Sequence, residues 1–156
     1  MKTVLLQVGK TTDKQIAALV EDYRTRVSHY MPFEVITIPE LKSTKSLSEV
    51  QQKEREGELI LKNLSSGDTV VLLDEHGMTC SSVKFSQWLE RKQQNVRRLV
   101  FVIGGPYGFT EVVKRRADEK ISLSPMTFSH QMVRLIFTEQ LYRACTIIKG
   151  EPYHHE

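Results

Sequence analysis

Apolar positions along the chain fall into two periods. Residues 3–8 (Thr-Val-Leu-Leu-Gln-Val) form a short apolar run closed by Gly9, the pattern of a buried strand. Ile16, Leu19, Val20, Tyr23 and Val27 recur at i, i+3, i+4, i+7 and i+11, which places them on one face of a helix that Thr11 or Thr12 would cap. Phe33 to Ile38 alternates as a second strand, and Pro39 ends it. The polar stretch Lys42-Ser43-Thr44-Lys45-Ser46 predicts a mobile loop. Ser46 with Glu49 fits a capping box that opens a helix through about Leu64, carrying Val50, Ile60, Leu61 and Leu64.

Ser65-Ser66-Gly67-Asp68 breaks that helix, and Thr69 to Asp74 follows as a continuous apolar run ending in a carboxylate, as in a parallel strand covered on both faces. A turn at His76-Gly77 leads to a helix from Ser81 or Ser82 to about Gln93, with Val83, Phe85, Trp88 and Leu89 inward, and to a buried strand, Leu99 to Ile103. Gly104-Gly105-Pro106-Tyr107-Gly108 interrupts the chain. Thr110-Glu111 starts a short helix through about Ala117, and Ile121 to Ser124 reads as a weak strand. The last helix runs from about His130 to Lys149 with an apolar stripe of Val133, Ile136, Phe137, Leu141, Ala144, Ile147 and Ile148, and Gly150 stops it. The alternation of strand and helix predicts an α/β fold, a mostly parallel sheet with helices on both faces. No repeat, low-complexity tract or linker divides the sequence, so residues 1–156 read as a single domain.

Composition leaves that picture intact. Hydrophobic residues make up 40% and charged residues 26%, ordinary globular values. A domain of this size buries about 68–70% of its unfolded surface and needs neither metal nor disulfide to hold it. Cys80 and Cys145 lack CxxC spacing and read as reduced thiols. The longest apolar run, Leu99 to Ile103, is far short of the ~18 residues a membrane helix needs. Gln7, Gly9, Lys10 and Asp13 interrupt the N-terminus before a signal-peptide core is built, so a soluble cytoplasmic protein is expected.

Charge matters only where it clusters. The formal net charge of +3 is too small to imply a polyanion partner by itself. Lys92, Arg97 and Arg98, then Lys114, Arg115 and Arg116, read first as solvated faces. Arg134 and Arg143 sit among apolar neighbours on the last helix. Glu139, four residues before Arg143, makes a helix-surface ion pair a competitor to an RNA phosphate contact.

In an open parallel sheet, ligands bind at the carboxyl ends of strands. Three such ends carry candidate chemistry: Leu73-Asp74-Glu75-His76-Gly77, Ile103 to Gly108, and Ser122 to Phe128. The glycine loop fits neither GxGxxG nor GxxxxGK[ST], so it is either a tight strand-to-helix turn or a backbone cradle for a phosphate, carboxylate or adenosine. Asp74 is either a turn carboxylate or an acceptor for a ribose or base. The segment Leu123 to Phe128 suits an adenine slot and an ordinary loop equally. The tail packs Tyr153, His154 and His155 into the chain's last residues, where fraying is the ordinary outcome. Two adjacent histidines diverge and make no metal site, but a histidine held over a pocket can act as base or orienter.

Taken in order, these pieces resemble the RlmH (YbeA-like) family of large-subunit ribosomal RNA pseudouridine N3-methyltransferases, within the SPOUT superfamily. The likeness runs from Leu5 to Gly9 through Met31-Pro32-Phe33-Glu34, Lys53-Glu54-Arg55-Glu56-Gly57, and Leu73-Asp74 with Gly77. It continues in Ile103-Gly104-Gly105-Pro106 with Gly108, Ser122-Leu123-Ser124 with Met126-Thr127-Phe128, and His130 with Arg134. It ends in Glu139-Gln140-Leu141-Tyr142-Arg143-Ala144 and Pro152-Tyr153-His154. The resemblance implies a SPOUT-type α/β knot with a C-terminal trefoil, a homodimer, and S-adenosylmethionine (SAM) as methyl donor with no metal. It implies a donor pocket of Leu73, Gly104, Gly105, Leu123, Ser124, Pro125, Met126, Thr127 and Phe128. Arg143, Tyr153 and His154 become the catalytic candidates, and His130, Arg134 and His155 the RNA contacts.

Two positions depart from the family pattern. Ser129 stands where proline is frequent, which predicts a looser loop before the last helix, and His155 replaces a permanent positive charge at the RNA edge. His154 is the first candidate for the base that removes the N3 proton, directly or through water. Tyr153 would place the nucleobase, and Arg143 or Arg134 would stabilise the developing anion or hold phosphate. The rival readings are a non-catalytic RNA- or ribosome-binding module, a methyltransferase for another RNA position, and a flavodoxin-like enzyme with phosphate at Gly104 to Gly108.

Overall fold

A computed structural model describes residues 1–42 and 44–155. Five strands, β1 (Lys2–Val8), β2 (Phe33–Ile38), β3 (Thr69–Thr79), β4 (Arg98–Ile103) and β5 (Glu119–Ser122), alternate with five helices, α1 (Lys14–Ser28), α2 (Glu49–Lys62), α3 (Ser82–Asn95), α4 (Glu111–Arg116) and α5 (His130–Lys149). The strands form one sheet in the order β2-β1-β4-β3-β5, and every pairing is parallel.

Strand alternation divides the core in two. Leu99, Phe101 and Ile103 of β4 point to one face and pack with Val27 of α1, Phe85, Trp88 and Leu89 of α3, and Phe137 and Leu141 of α5. Val100 and Val102 point to the other and meet Ile60 of α2 and Val113 of α4. Phe101 is fully buried, with its ring centroid 4.7 Å from that of Phe137. Burying such a ring stabilises by about 1.5–3 kcal/mol, so the β4 to α5 contact is a main anchor of the last helix. No helix among the described residues is long and apolar enough to cross a membrane.

Several helix starts differ from the sequence reading, each for a local reason. Asp13, not Thr11 or Thr12, caps α1 by accepting the N–H groups of Gln15 and Ile16. Thr12 is engaged elsewhere, its N–H donating to Gln131 at 2.7 Å. The capping box of α2 is Ser48 with Gln51 rather than Ser46 with Glu49, because Thr44–Ser46 is wound into a 3-10 turn. That turn replaces part of the expected loop, whose Ser43 lies outside the described residues. Ser129 does not loosen the segment before α5. Its hydroxyl accepts the Met132 N–H at 3.1 Å and caps the helix.

The largest departure is in β3, which does not end at Asp74. Leu73 and Met78 both pair with Ile121, so Asp74 to Gly77 leave the ladder as an excursion and the strand then resumes. Gly77 permits it: a Cβ there would stand 2.7 Å from the Lys120 carbonyl carbon and 2.8 Å from the Ile121 backbone. The residues read as a turn therefore stay pressed against β5 and project beside its carboxyl end.

Candidate functional site

The carboxyl ends of β3, β4 and β5 surround a cavity of about 460 Å3, within the range of ~300–1,000 Å3 typical of small-molecule sites. Three segments supply most of its lining: Leu73 to His76, Ile103 to Phe109, and the loop after β5. Each is held by short local bonds. His76 N–H donates to Asp74 Oδ1 at 2.9 Å, fixing the β3 excursion. Gly108, at φ +81°, turns the glycine loop back so that its N–H donates to the Gly105 carbonyl at 3.2 Å. In the third segment the Ser122 hydroxyl donates to the Ser124 carbonyl, and Met126 N–H donates to the Ser124 hydroxyl, both at 2.9 Å.

The first and third segments are tied together. Thr127 Oγ1 donates to Glu75 Oε2 at 2.9 Å. Of the residues expected to hold a donor, Leu73, Gly104, Gly105, Leu123, Ser124, Met126, Thr127 and Phe128 line this one cavity, while Pro125 lies in the same loop without lining it. Lys53, Lys114 and His130 are set against Asp74 and Glu75 in the lining, so a zwitterionic or mixed-charge ligand finds both signs. Met126 is 76% exposed at this loop, with Tyr107 also exposed, so apolar surface is open to a further partner. Glu75 belongs to the strand end that the sequence singled out, whereas Lys53 and Lys114 were not expected at the cavity.

A second cavity, about 310 Å3, lies at the ends of β1 and β2 and shares Gly105, Pro106 and His130 with the first. It contains Arg134, which is only 2% exposed and donates to the Val8 carbonyl at 2.8 Å and to Thr11 Oγ1 at 3.0 Å. Burial lowers the Arg134 pKa, opposed by the nearby Glu40 carboxylate. Arg134 thus locks the end of β1 against α5, whereas His130 stands at the junction of both cavities. Among the described residues no group of three or more His, Cys, Asp or Glu could hold a metal ion.

The three catalytic candidates come together elsewhere. Gly150, at φ +71°, ends α5 in a Schellman arrangement, with Gly150 N–H donating to Ile147 O and Glu151 N–H to Thr146 O. That reversal lays the tail back along the helix, so it is packed rather than frayed through Tyr153 and His154. Tyr30 donates to Glu151 at 2.5 Å, and the Tyr153 ring stands edge-on to Tyr142 at 4.7 Å. Glu139 is the hub: it accepts from Arg143 at 2.6 and 3.1 Å and from the Tyr153 hydroxyl at 3.0 Å. The Glu139 carboxylate raises the Arg143 pKa, and burial, with bonds to Tyr23 and Glu139, raises that of Tyr153 well above a free phenol.

Arg143 Nη1 stands 3.1 Å from His154 Nδ1. A guanidinium can only donate, so Nδ1 accepts and the ring's proton sits on Nε2. In this arrangement His154 is a donor through Nε2. It can take a proton only once Arg143 releases Nδ1. His155 is exposed next to it. Along α5, His130 at the cavities and Arg143 in the tail cluster are separated by about 20 Å at 1.5 Å per residue. The chain does not bring its own tail cluster to its own cavity.

Comparison with known proteins adds the following. A family model described as "Predicted SPOUT methyltransferase" matches residues 1–154. Proteins named "Ribosomal RNA large subunit methyltransferase H" are similar over the full length of both chains: 59% identical in Bacteroides fragilis, 60% in Phocaeicola vulgatus and 55% in Flavobacterium johnsoniae. Among solved structures, the SpoU methyltransferase AviRb from Streptomyces viridochromogenes, in complex with the cofactor AdoMet, matches with a TM-score of 0.48 and 12% identity. That match covers 96% of this chain, which spans 58% of the length of AviRb.

Proposed function

The chain belongs to the SPOUT methyltransferases, in the RlmH group, and from that premise we propose that it transfers the SAM methyl to N3 of a pseudouridine in 23S ribosomal RNA, acting on assembled ribosomes in the cytoplasm. The observation that carries the reading is the 460 Å3 cavity built from Leu73, the glycine loop and the loop after β5. Its fit to SAM rests on this lining. Apolar Leu73, Leu123 and Phe128 suit a purine face, and carboxylates and lysines supply partners for the amino acid end. Gly104 keeps the wall low, since a Cβ there would meet the Phe109 ring at 3.0 Å.

Bound there, SAM supplies a methyl on a positively charged sulfur, which is electrophilic without further activation. The protein's part is to bring the acceptor nitrogen into line and to relieve it of its proton. Arg143, Tyr153 and His154 are the groups for that. Arg143 faces developing negative charge on the base, Tyr153 places the ring, and His154 first orients through Nε2–H and takes the N3 proton once its Arg143 bond opens. His130 and His155 are the RNA contacts of this reading, with Arg134 behind them as a buried support.

The separation of about 20 Å along α5 supports a homodimer in which the tail of one copy completes the cavity of the other. Such a dimer also doubles the modest positive charge that each copy presents to RNA. The strand order, with β3, β4 and β5 crowded round one cavity, is in keeping with the C-terminal trefoil knot.

The test is incubation with labelled SAM and, in parallel, assembled ribosomes, free large subunits and naked ribosomal RNA, followed by mapping of the modified base. Label at N3 of one pseudouridine of the large-subunit RNA, strongest on assembled ribosomes, is the expected result. Label at another position would assign a different substrate. No transfer to any RNA by a protein that binds S-adenosylhomocysteine would leave a non-catalytic module.

A further inference from the structure

Glu56 lies on α2, outside the donor cavity, yet it is only 5% exposed. One carboxylate oxygen accepts from Gln52 Nε2 at 3.1 Å. The carboxylate also lies against Gly105, where a Cβ would land on it and approach its Cδ to 2.7 Å. The space that any other residue at 105 would claim is thus occupied from α2. The next residue repeats the contact: a Cβ on Gly57 would stand 3.0 Å from the Thr110 side chain, and Thr110 caps α4 just beyond the glycine loop. Helix α2 therefore backs the loop at both of its ends, through consecutive residues.

Gly105 belongs to both cavities, and its carbonyl closes the turn with Gly108. Its position sets the wall of the donor cavity. An apolar side chain at position 56 would fill the same space without taking a carboxylate out of water. Burial pushes the Glu56 carboxyl above the ordinary range, with Gln52 and His130 opposing that and Glu40 adding to it. The fold carries this cost where a side chain of α2 stands against Gly105 of the glycine wall.

We infer that Glu56 is a positioning residue for methyl transfer, holding the Gly104–Gly108 wall at the height the donor requires without touching the donor. This rests on the donor cavity proposed above. A residue that merely supports the fold would lose stability and ligand affinity together when removed. A positioning residue held at a cost to stability separates the two.

Four variants decide it: Glu56→Ala, Glu56→Gln, Gly105→Ala and the Glu56→Ala/Gly105→Ala pair. S-adenosylhomocysteine affinity is measured by calorimetry, stability by urea midpoint, and KM for SAM against kcat on ribosomes. Glu56→Ala is expected to weaken the ligand about tenfold and raise KM for SAM while kcat changes about twofold or less, the pattern of a misplaced binding wall. Its urea midpoint stays level or rises. Glu56→Gln, which keeps the shape, returns affinity to within about threefold of the parent. Gly105→Ala forces the carboxylate off Gln52 and weakens the ligand, and adding Glu56→Ala recovers part of that loss, a coupling that unconnected sites do not show.

The inference is overturned if Glu56→Ala binds the ligand as the parent does, if affinity and stability fall in parallel, or if the paired variant simply adds the two losses. A parent protein that binds neither SAM nor S-adenosylhomocysteine would remove the donor cavity itself, and this inference with it. A parent that binds while the variants behave alike would refute only the role of Glu56.

Discussion

Single side chains in this protein carry roles that their residue type does not announce. Arg134 lies in a sequence context suited to RNA, yet it is buried and donates to the Val8 carbonyl and to Thr11. Periodicity places a residue on a helix face, but whether a cation there meets solvent or the end of a neighbouring strand depends on how β1 and α5 cross. Glu56 entered the sequence reading only within the segment Lys53 to Gly57 of the family likeness, with no site role, for the same reason. Its burial has a pH consequence. A carboxyl whose folded-state pKa is raised binds its proton more tightly in the folded chain, so its favourable contribution is complete below the unfolded pKa and is lost as pH rises through the folded one. At neutral pH the ionised group therefore burdens the fold. Glu56→Gln should be the more stable protein at pH 7.5, and its advantage in urea midpoint should shrink as pH falls toward 4.5. An advantage that stays constant with pH would show that the carboxyl is not strained by burial.

At the level of elements, what could be read from the chain was whatever a local signal controls. Helix α5 runs from His130 to Lys149 as its stripe and Gly150 predict, because the left-handed stop needs no tertiary partner. Caps were ambiguous where several candidates stood in a row. At α1 the cap is Asp13, whose carboxylate accepts the N–H groups of both Gln15 and Ile16, while Gln131 of α5 accepts from the N–H groups of Thr12 and Asp13. The excursion in β3 was missed because resumption of the ladder depends on β5, which pairs with both of its flanks. Gly77 is the hinge of that arrangement, and the atoms a side chain would strike belong to the Lys120 and Ile121 backbone, which cannot swing away. Gly77→Ala should cost about 1–3 kcal/mol, the range for overpacking, measured by urea unfolding. It should also weaken S-adenosylhomocysteine binding, because Glu75 would no longer reach Thr127. Normal stability and normal affinity together would mean that the excursion adapts freely.

For the whole molecule, the decisive fact is that α5 separates the tail cluster from the cavity its own chain builds. Sequence order brings neither group nearer the other, and a single chain leaves each of them incomplete: the proposed donor cavity is not lined by the proposed catalytic groups, and Arg143 and Tyr153 are held on Glu139 instead. If two copies share their parts, the defects of two different variants can be sorted onto one site. In a mixed dimer of Leu123→Arg, which obstructs the cavity, and His154→Ala, one site receives both defects and the other receives none. Each homodimer should be nearly inactive, and the mixed dimer, isolated with two different tags, should recover about half of the parent's single-turnover methylation, since a single intact site turns over as it does in the parent. Recovery depends on the tail crossing between copies: were each tail to serve its own cavity, every site in the mixed dimer would carry one defect and activity would stay at the level of the homodimers.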